Sequence, residues 1–138
     1  MQKKILIIES NYYAEISKKL LNSAVKLLEE KKFKYEIITV PGALEIPVVL
    51  EKFKNEYLGF IILGCVVRGE TSHFDIVKNL STTSVYDIVN KNKIAAGTAL
   101  LTVENMTQAM DRADKNKRNL GENAANVCLK MIEILRIP

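Results

Sequence analysis

Several features that define large classes of protein are scarce in this sequence. Its 138 residues include three prolines, no tryptophan and two cysteines, Cys65 and Cys128. Two cysteines are too few for a disulfide framework or a metal cluster, so we predict free, inert thiols in a reducing compartment. No apolar run approaches the roughly 18 to 20 residues that a membrane-spanning helix needs, and the apolar run before Glu9 is too short for a signal peptide. These absences predict a cytoplasmic protein without a membrane partner.

Charge of either sign is also in little excess. The chain has 20 lysines and arginines against 16 aspartates and glutamates, a formal net charge of +4. Its cations are scattered except at Lys115, Lys117 and Arg118, whereas a nucleic-acid surface requires a dense basic patch. We therefore expect no nucleic-acid partner, although a small anionic ligand would suit this charge. The hydrophobic content of 48% excludes disorder, and the length suits a single domain over residues 1–138.

The spacing of the apolar residues predicts alternating strands and helices. Continuous apolar or β-branched runs predict strands at residues 4–8, 35–40, 60–67 and 94–102. Helical spacing predicts helices over residues 16–28 and at about residues 44–54, 72–90, 105–113 and 119–135. Such alternation builds a parallel sheet through right-handed crossovers. The predicted fold class is α/β: a three-layer sandwich of flavodoxin-like type, with helices on both faces of a four-stranded parallel sheet.

Polar loops follow the first three predicted strands and should meet at one edge of the sheet, where ligands of such folds bind. Thr71 and Ser72 precede the third predicted helix, where unpaired N–H groups favour an anion, and the only histidine, His73, comes next. Each feature also has an ordinary structural explanation. These are a helix cap for Thr71 or Ser72, a surface position for His73, a helix-dipole partner for Glu45, and an ion pair between Arg68 and Glu70. Only their convergence on one edge predicts a site.

Three stretches of sequence, in this order and spacing, resemble one enzyme family. They are VPGALEIP at residues 40–47, LGCVVRGETSHF at residues 63–74, and LTVEN at residues 101–105 followed by Gln108-Ala109 and Arg112-Ala113. Over nearly its whole length the chain is similar to the 6,7-dimethyl-8-ribityllumazine synthases of riboflavin biosynthesis. The resemblance implies condensation of 5-amino-6-(D-ribitylamino)uracil with 3,4-dihydroxy-2-butanone 4-phosphate, which yields the lumazine, phosphate and water. It implies neither a metal nor a cofactor.

The resemblance also implies roles for individual residues. An aromatic residue after the first strand stacks on the pyrimidine ring in this family, and Tyr12 occupies that position. The other implied contacts of the pyrimidine and the ribityl chain are Ala43, Leu44, Glu45, Cys65, Val66, Val67 and Thr98. The implied phosphate-binding residues are Glu70, Thr71 and Arg112, and the implied catalytic residue, which transfers protons, is His73. Leu44 and Thr98 stand where many members have phenylalanine, and Leu120 replaces a lysine, for which Lys115, Lys117 or Arg118 could substitute.

The same resemblance implies a homo-oligomer, a pentamer whose active sites lie between neighbouring subunits. The polar run Ser81 to Ser84 would let identical helices pack around a five-fold axis, or would form a solvated face. Only three residues precede Lys4, too few for an added strand, so we predict a pentamer, or a pair of pentamers, in preference to a shell.

Two other classes of function compete with this prediction. A protein of the same pathway could bind lumazine or riboflavin without making it, or be a riboflavin synthase of similar architecture. The presence of both His73 and Arg112 argues against a binder, since neither is needed to stack a ring. An α/β signalling or nucleic-acid module is the second class, but Glu9 stands alone after the first strand, without the acidic cluster of a phosphoacceptor site.

Overall fold

Four parallel strands form the centre of the protein, as seen in a computed structural model that describes residues 3–68 and 73–136. The strands are β1 (Ile5–Ser10), β2 (Tyr35–Val40), β3 (Gly59–Val67) and β4 (Ala96–Val103). They pair in the order β2-β1-β3-β4. Strands β1 and β3 are buried at every position, which explains why they are continuous apolar runs.

Five helices cover the two faces of this sheet. They are α1 (Ala14–Glu30), α2 (Ile46–Phe53), α3 (Phe74–Asn92), α4 (Met106–Ala113) and α5 (Leu120–Leu135), with a single 3₁₀ turn, Ala43–Glu45, before α2. One core cluster joins the sheet to α1, α4 and α5, and a second joins its other face to α2 and α3. The predicted three-layer α/β fold of flavodoxin-like type is therefore confirmed. None of the helices in the described ranges is both long and apolar enough to cross a bilayer.

The boundaries differ from the predicted ones where polar residues continue a regular element. Strand β1 extends past the predicted end to Ser10, since Glu9 pairs with Thr39 and accepts a 2.7 Å hydrogen bond from its hydroxyl. Helix α3 begins at Phe74 and ends at Asn92, with Lys93 in the left-handed region at φ 51°. As predicted, Pro47 lies in the first turn of α2, where no backbone donor is needed.

The polar run at residues 81–84 does not form one surface of α3. Ser81 is fully buried, and its hydroxyl donates to the carbonyl of Val77, whereas Thr83 is exposed. Successive residues of a helix point about 100° apart, so four consecutive positions surround the axis. The outer face of α3 instead carries exposed apolar side chains, Ile76 and Leu80.

Candidate active site

A groove of about 440 Å³ opens at the carboxyl edge of the sheet. Its walls come from the β1–α1 loop, the turn after β2, the end of β3 and the start of α3. The chain reverses its direction across the sheet between β1 and β3, and ligands of open α/β sheets bind at such a switch point. The lining residues are Tyr12, Tyr13, Pro41, Gly42, Ala43, Leu44, Glu45, Cys65, Val66, Val67, His73 and Val77.

Two tyrosines form the wall on the β1 side. Tyr12 is 73% exposed, although it is a large aromatic residue. Its ring meets the edge of the Tyr13 ring with centroids 5.0 Å apart and an interplanar angle of 74°. An exposed ring held by a second ring offers a flat face for stacking a planar ligand. Sequence reasoning missed Tyr13, although its place beside Tyr12 was a usable signal.

The turn after β2 contributes one carboxylate and two apolar side chains. Glu45 is exposed, and its N–H donates to the carbonyl of Gly42 over 3.2 Å. Gly42 itself is extended, with φ −150°, so the backbone there does not require glycine. A methyl group at Gly42 would instead lie 3.1 Å from Oε1 of Glu45. Leu44 is exposed at the groove, while Ala43 is buried in a small cluster beneath it.

The end of β3 supplies a closed, apolar floor. Cys65, Val66 and Val67 are all buried, although each lines the groove. Burial raises the pKa of the Cys65 thiol to about 12, and burial likewise raises the pKa of Cys128, beneath the sheet, to about 12. Thiols with such a pKa stay protonated at neutral pH, so neither cysteine is a nucleophile here. The cysteines are free, as predicted.

His73 lies at the mouth of the groove, immediately before α3. Its side chain is exposed and lines the groove, and its carbonyl accepts a 3.0 Å hydrogen bond from the Val77 N–H. The first turn of α3 therefore fixes the backbone of His73. Glu70 and Thr71, which were predicted to bind phosphate, lie outside the described residues.

Two other predicted site residues lie apart from the groove of their own chain. Thr98 is on β4 opposite Ile62, and its hydroxyl shares a 2.6 Å hydrogen bond with the hydroxyl of Tyr86. Arg112 is half-buried on α4, where its guanidinium donates to the carbonyl of Gln108 over 3.2 Å. Neither side chain lines the groove. Both are on parts of the chain that follow β3, toward the open edge of the sheet at β4.

The position of the missing family lysine is taken by an apolar contact. Leu120 packs against the core cluster between α1 and α5. The candidate substitutes Lys115, Lys117 and Arg118 are exposed in the turn that joins α4 to α5. Over residues 3–68 and 73–136, no group of three metal-binding side chains comes together.

An arginine network next to the groove was also missed. The Nε of Arg68 donates to Oε2 of Glu104 over 2.6 Å, and Nη2 is 3.6 Å from Oδ1 of Asp75. The hydrogen bond to Glu104 raises the pKa of the guanidinium. Sequence spacing suggested Glu70 as the partner, whereas Glu104 is 36 residues away in the chain. Only the pairing of β3 with β4 brings the two residues together.

The fold and the groove define an α/β protein of flavodoxin-like type, with a ligand site at the switch point of its sheet. A sequence profile of the 6,7-dimethyl-8-ribityllumazine synthase family matches residues 2–136. The 6,7-dimethyl-8-ribityllumazine synthase of Bartonella tribocorum is 45% identical over 139 residues, which cover 97% of this chain and 92% of the relative. Those of Bartonella bacilliformis and Agrobacterium fabrum are 46% and 41% identical over 94% of this chain, covering 88% and 93% of the relatives. The chain belongs to the 6,7-dimethyl-8-ribityllumazine synthase family.

Proposed function

We propose that this protein is a transferase that condenses 5-amino-6-(D-ribitylamino)uracil with 3,4-dihydroxy-2-butanone 4-phosphate. The products are 6,7-dimethyl-8-ribityllumazine, phosphate and two waters. The observation that carries the proposal is the groove itself, which places Tyr12, Glu45 and His73 around one space of about 440 Å³. The protein would carry out this penultimate step of riboflavin synthesis in the cytoplasm, as one domain over residues 1–138.

The groove suits the planar and polyhydroxylated parts of the first substrate. The pyrimidine ring stacks on the exposed ring of Tyr12, over the apolar floor formed by Cys65, Val66 and Val67. The ribityl chain lies along Ala43 and Leu44, and its hydroxyl groups donate to the carboxylate of Glu45. Fixing both substrates in one groove removes much of the entropic barrier to a bimolecular reaction.

The reaction needs several proton transfers and no redox chemistry. The primary amine attacks the ketone, and an imine forms with loss of one water. Phosphate then leaves, and the second amine closes the ring with loss of another water. An imidazole titrates near neutral pH, so His73 can accept and return the protons of these steps. The groove supplies this group at its mouth, next to α3.

The phosphate requires cations that the groove of one chain does not supply. We assign this role to Arg112 of a neighbouring subunit, together with Glu70 and Thr71 of the chain that holds the groove. Thr98 would likewise reach the pyrimidine from the neighbour. Two observations support this assignment: Arg112 does not line the groove of its own chain, and Ile76 and Leu80 are more than half exposed on α3. Exposed apolar side chains favour burial between subunits, and the assembly we propose is a pentamer.

The test is to mix the purified protein with both substrates and a metal chelator. We expect lumazine absorbance and fluorescence to appear together with one phosphate per lumazine, faster than in the mixture without protein. If the protein does not exceed the uncatalysed rate but binds lumazine, it is a binder, and the proposed activity is wrong. A chelator-sensitive rate would contradict the proposed metal-free chemistry.

A further inference from the structure

One guanidinium group connects three parts of the carboxyl edge. Arg68 directly follows β3, and Glu104 directly follows β4, where Val67 pairs with Val103. The 2.6 Å hydrogen bond from Nε of Arg68 to Glu104 therefore joins the ends of two paired strands. Both side chains are about half exposed, at 49% and 58%.

The partner carboxylate is itself held in place by the start of α4. The N–H of Glu104 donates to Oε1 of Gln108 over 2.8 Å, and the N–H of Gln108 donates to Oδ1 of Asn105 over 2.9 Å. These reciprocal bonds cap the helix and fix the backbone at Glu104. Arg68 is thus attached to a rigid point on the β4 side.

On its other side, the same guanidinium contacts the first two residues of α3. Its central carbon lies 4.5 Å from the ring centroid of Phe74, a stacking distance, and Nη2 approaches Asp75 at 3.6 Å. Phe74 is buried against Ala43 and Val66. Arg68 consequently presses the N-terminal end of α3 onto the groove.

These contacts bear directly on His73, the residue before Phe74. The backbone of His73 belongs to the same turn, since its carbonyl accepts the Val77 N–H. Any displacement of the start of α3 would therefore displace the imidazole at the mouth of the groove. Exposed ion pairs contribute little to stability because water screens them, so these contacts matter mainly for the position of α3.

Arg68 is poorly suited to bind the substrate phosphate itself. Two carboxylates, Glu104 and Asp75, already face its guanidinium. A phosphate at that point would be repelled by both carboxylates. The positive charge of Arg68 is used within the protein.

We propose that Arg68 is a positioning residue, which holds His73 in place for proton transfer by joining the start of α3 to the ends of β3 and β4. The inference rests on the proposed function, in which His73 transfers protons. A displacement of about 1 Å can cost up to 10²-fold in rate, so loss of Arg68 should lower kcat by about 10-fold, and by no more than loss of His73 does. The KM of either substrate should change by less than about two-fold, because the binding walls are not altered. Lysine can neither stack on a ring nor contact two carboxylates in one plane, so Arg68→Lys should restore only part of kcat.

The decisive experiment is a double-mutant cycle with Arg68→Ala and His73→Ala, measured by lumazine formation. If Arg68 acts through His73, Arg68→Ala lowers kcat in the wild-type background and has no further effect in the His73→Ala background. Glu104→Gln, which leaves the ring contact intact, should give a smaller loss that likewise disappears without His73. Lys54→Ala is the matched control, because it removes another exposed 2.6 Å ion pair, with Glu51, away from the groove.

The outcomes separate the inference from the proposed function. An equal loss of kcat in both backgrounds, or no loss in either, would overturn the positioning role while the lumazine activity of the wild-type protein stands. A loss that follows a lowered unfolding midpoint in both Arg68→Ala and Glu104→Gln would also overturn it. Lack of activity in the wild-type protein would overturn the proposed function and this inference together.

Discussion

Among the side chains around the groove, His73 is the one suited to proton transfer, while Arg112 has only its positive charge to offer. His73→Ala should therefore lower kcat by about 10²- to 10⁴-fold, toward the lower limit if the uncatalysed condensation is fast. Arg112→Ala should chiefly raise the KM of the phosphorylated substrate, because a guanidinium binds phosphate through charge-assisted hydrogen bonds. Steady-state kinetics with each substrate varied separates the two effects. Arg136→Ala, which removes an exposed cation after α5, is the control. Equal losses of kcat in both variants, with KM unchanged, would mean that the roles are wrongly assigned.

The two thiols give a prediction that depends on pH. Burial raises the pKa of Cys65 and Cys128 to about 12, so at pH 8 their thiolate fraction is about 10³-fold lower than that of an ordinary thiol. Iodoacetamide should therefore modify the native protein at least about 10³-fold more slowly than the unfolded chain. The native rate should keep rising up to about pH 12 instead of levelling off near pH 9. Rapid modification at pH 8 followed by mass spectrometry would contradict the protonated state.

At the scale of single residues, the sequence predicted side chains that follow strands better than side chains that pack across them. Tyr12, Ala43, Glu45, Cys65 and His73 all line the groove because parallel strands end at one edge. The partners of Arg68 could not be predicted, since they depend on which strand pairs with β3. No sequence pattern fixed where Thr98 and Arg112 lie relative to the groove, because that depends on how the strands pair and how subunits assemble.

Whole elements depend on close contacts between backbones. A methyl group at Gly97 on β4 would lie 1.8 Å from the carbonyl oxygen of Ala124 on α5. The helix would have to move away from the sheet, so Gly97→Ala should lower the free energy of unfolding by about 1 to 3 kcal/mol or more. Denaturant unfolding at matched protein concentration measures this. Gly42→Ala is the control, because its added methyl group meets only the carboxylate end of Glu45, and it should change stability far less. Equal effects of the two substitutions would contradict the packing of α5 on β4.

The order and type of the elements could be predicted from the sequence, but their ends could not be fixed as well. Apolar period alone marks the buried part of β1, whereas Glu9 and Ser10 continue the strand because they pair with β2. The polar run at 81–84 was interpreted as a surface, although Ser81 faces the core and satisfies its hydroxyl within α3. Composition of a short segment does not reveal which face of a helix it occupies.

At the scale of the whole molecule, the account requires that subunits share their active sites. The groove holds His73, while Arg112 lies outside the groove of its own chain. In a closed ring of identical subunits, each interface is head-to-tail, so every groove would meet the Arg112 of one neighbour. Light scattering after size exclusion should show a pentamer as the active species. A stable, active monomer would contradict shared sites.

The most direct test of this account is activity in mixed assemblies of His73→Ala and Arg112→Ala subunits. The two variants are unfolded and refolded together in equal amounts, then assayed at a concentration of the phosphorylated substrate far below the KM of Arg112→Ala. In a ring with random mixing, about a quarter of the interfaces combine an intact His73 with an intact Arg112 from the neighbour. The account therefore predicts recovery of about a quarter of the wild-type lumazine-forming activity, well above that of either variant refolded alone. Activity no higher than the average of the two separately refolded variants would show that His73 and Arg112 do not meet across a subunit interface, and would contradict the account.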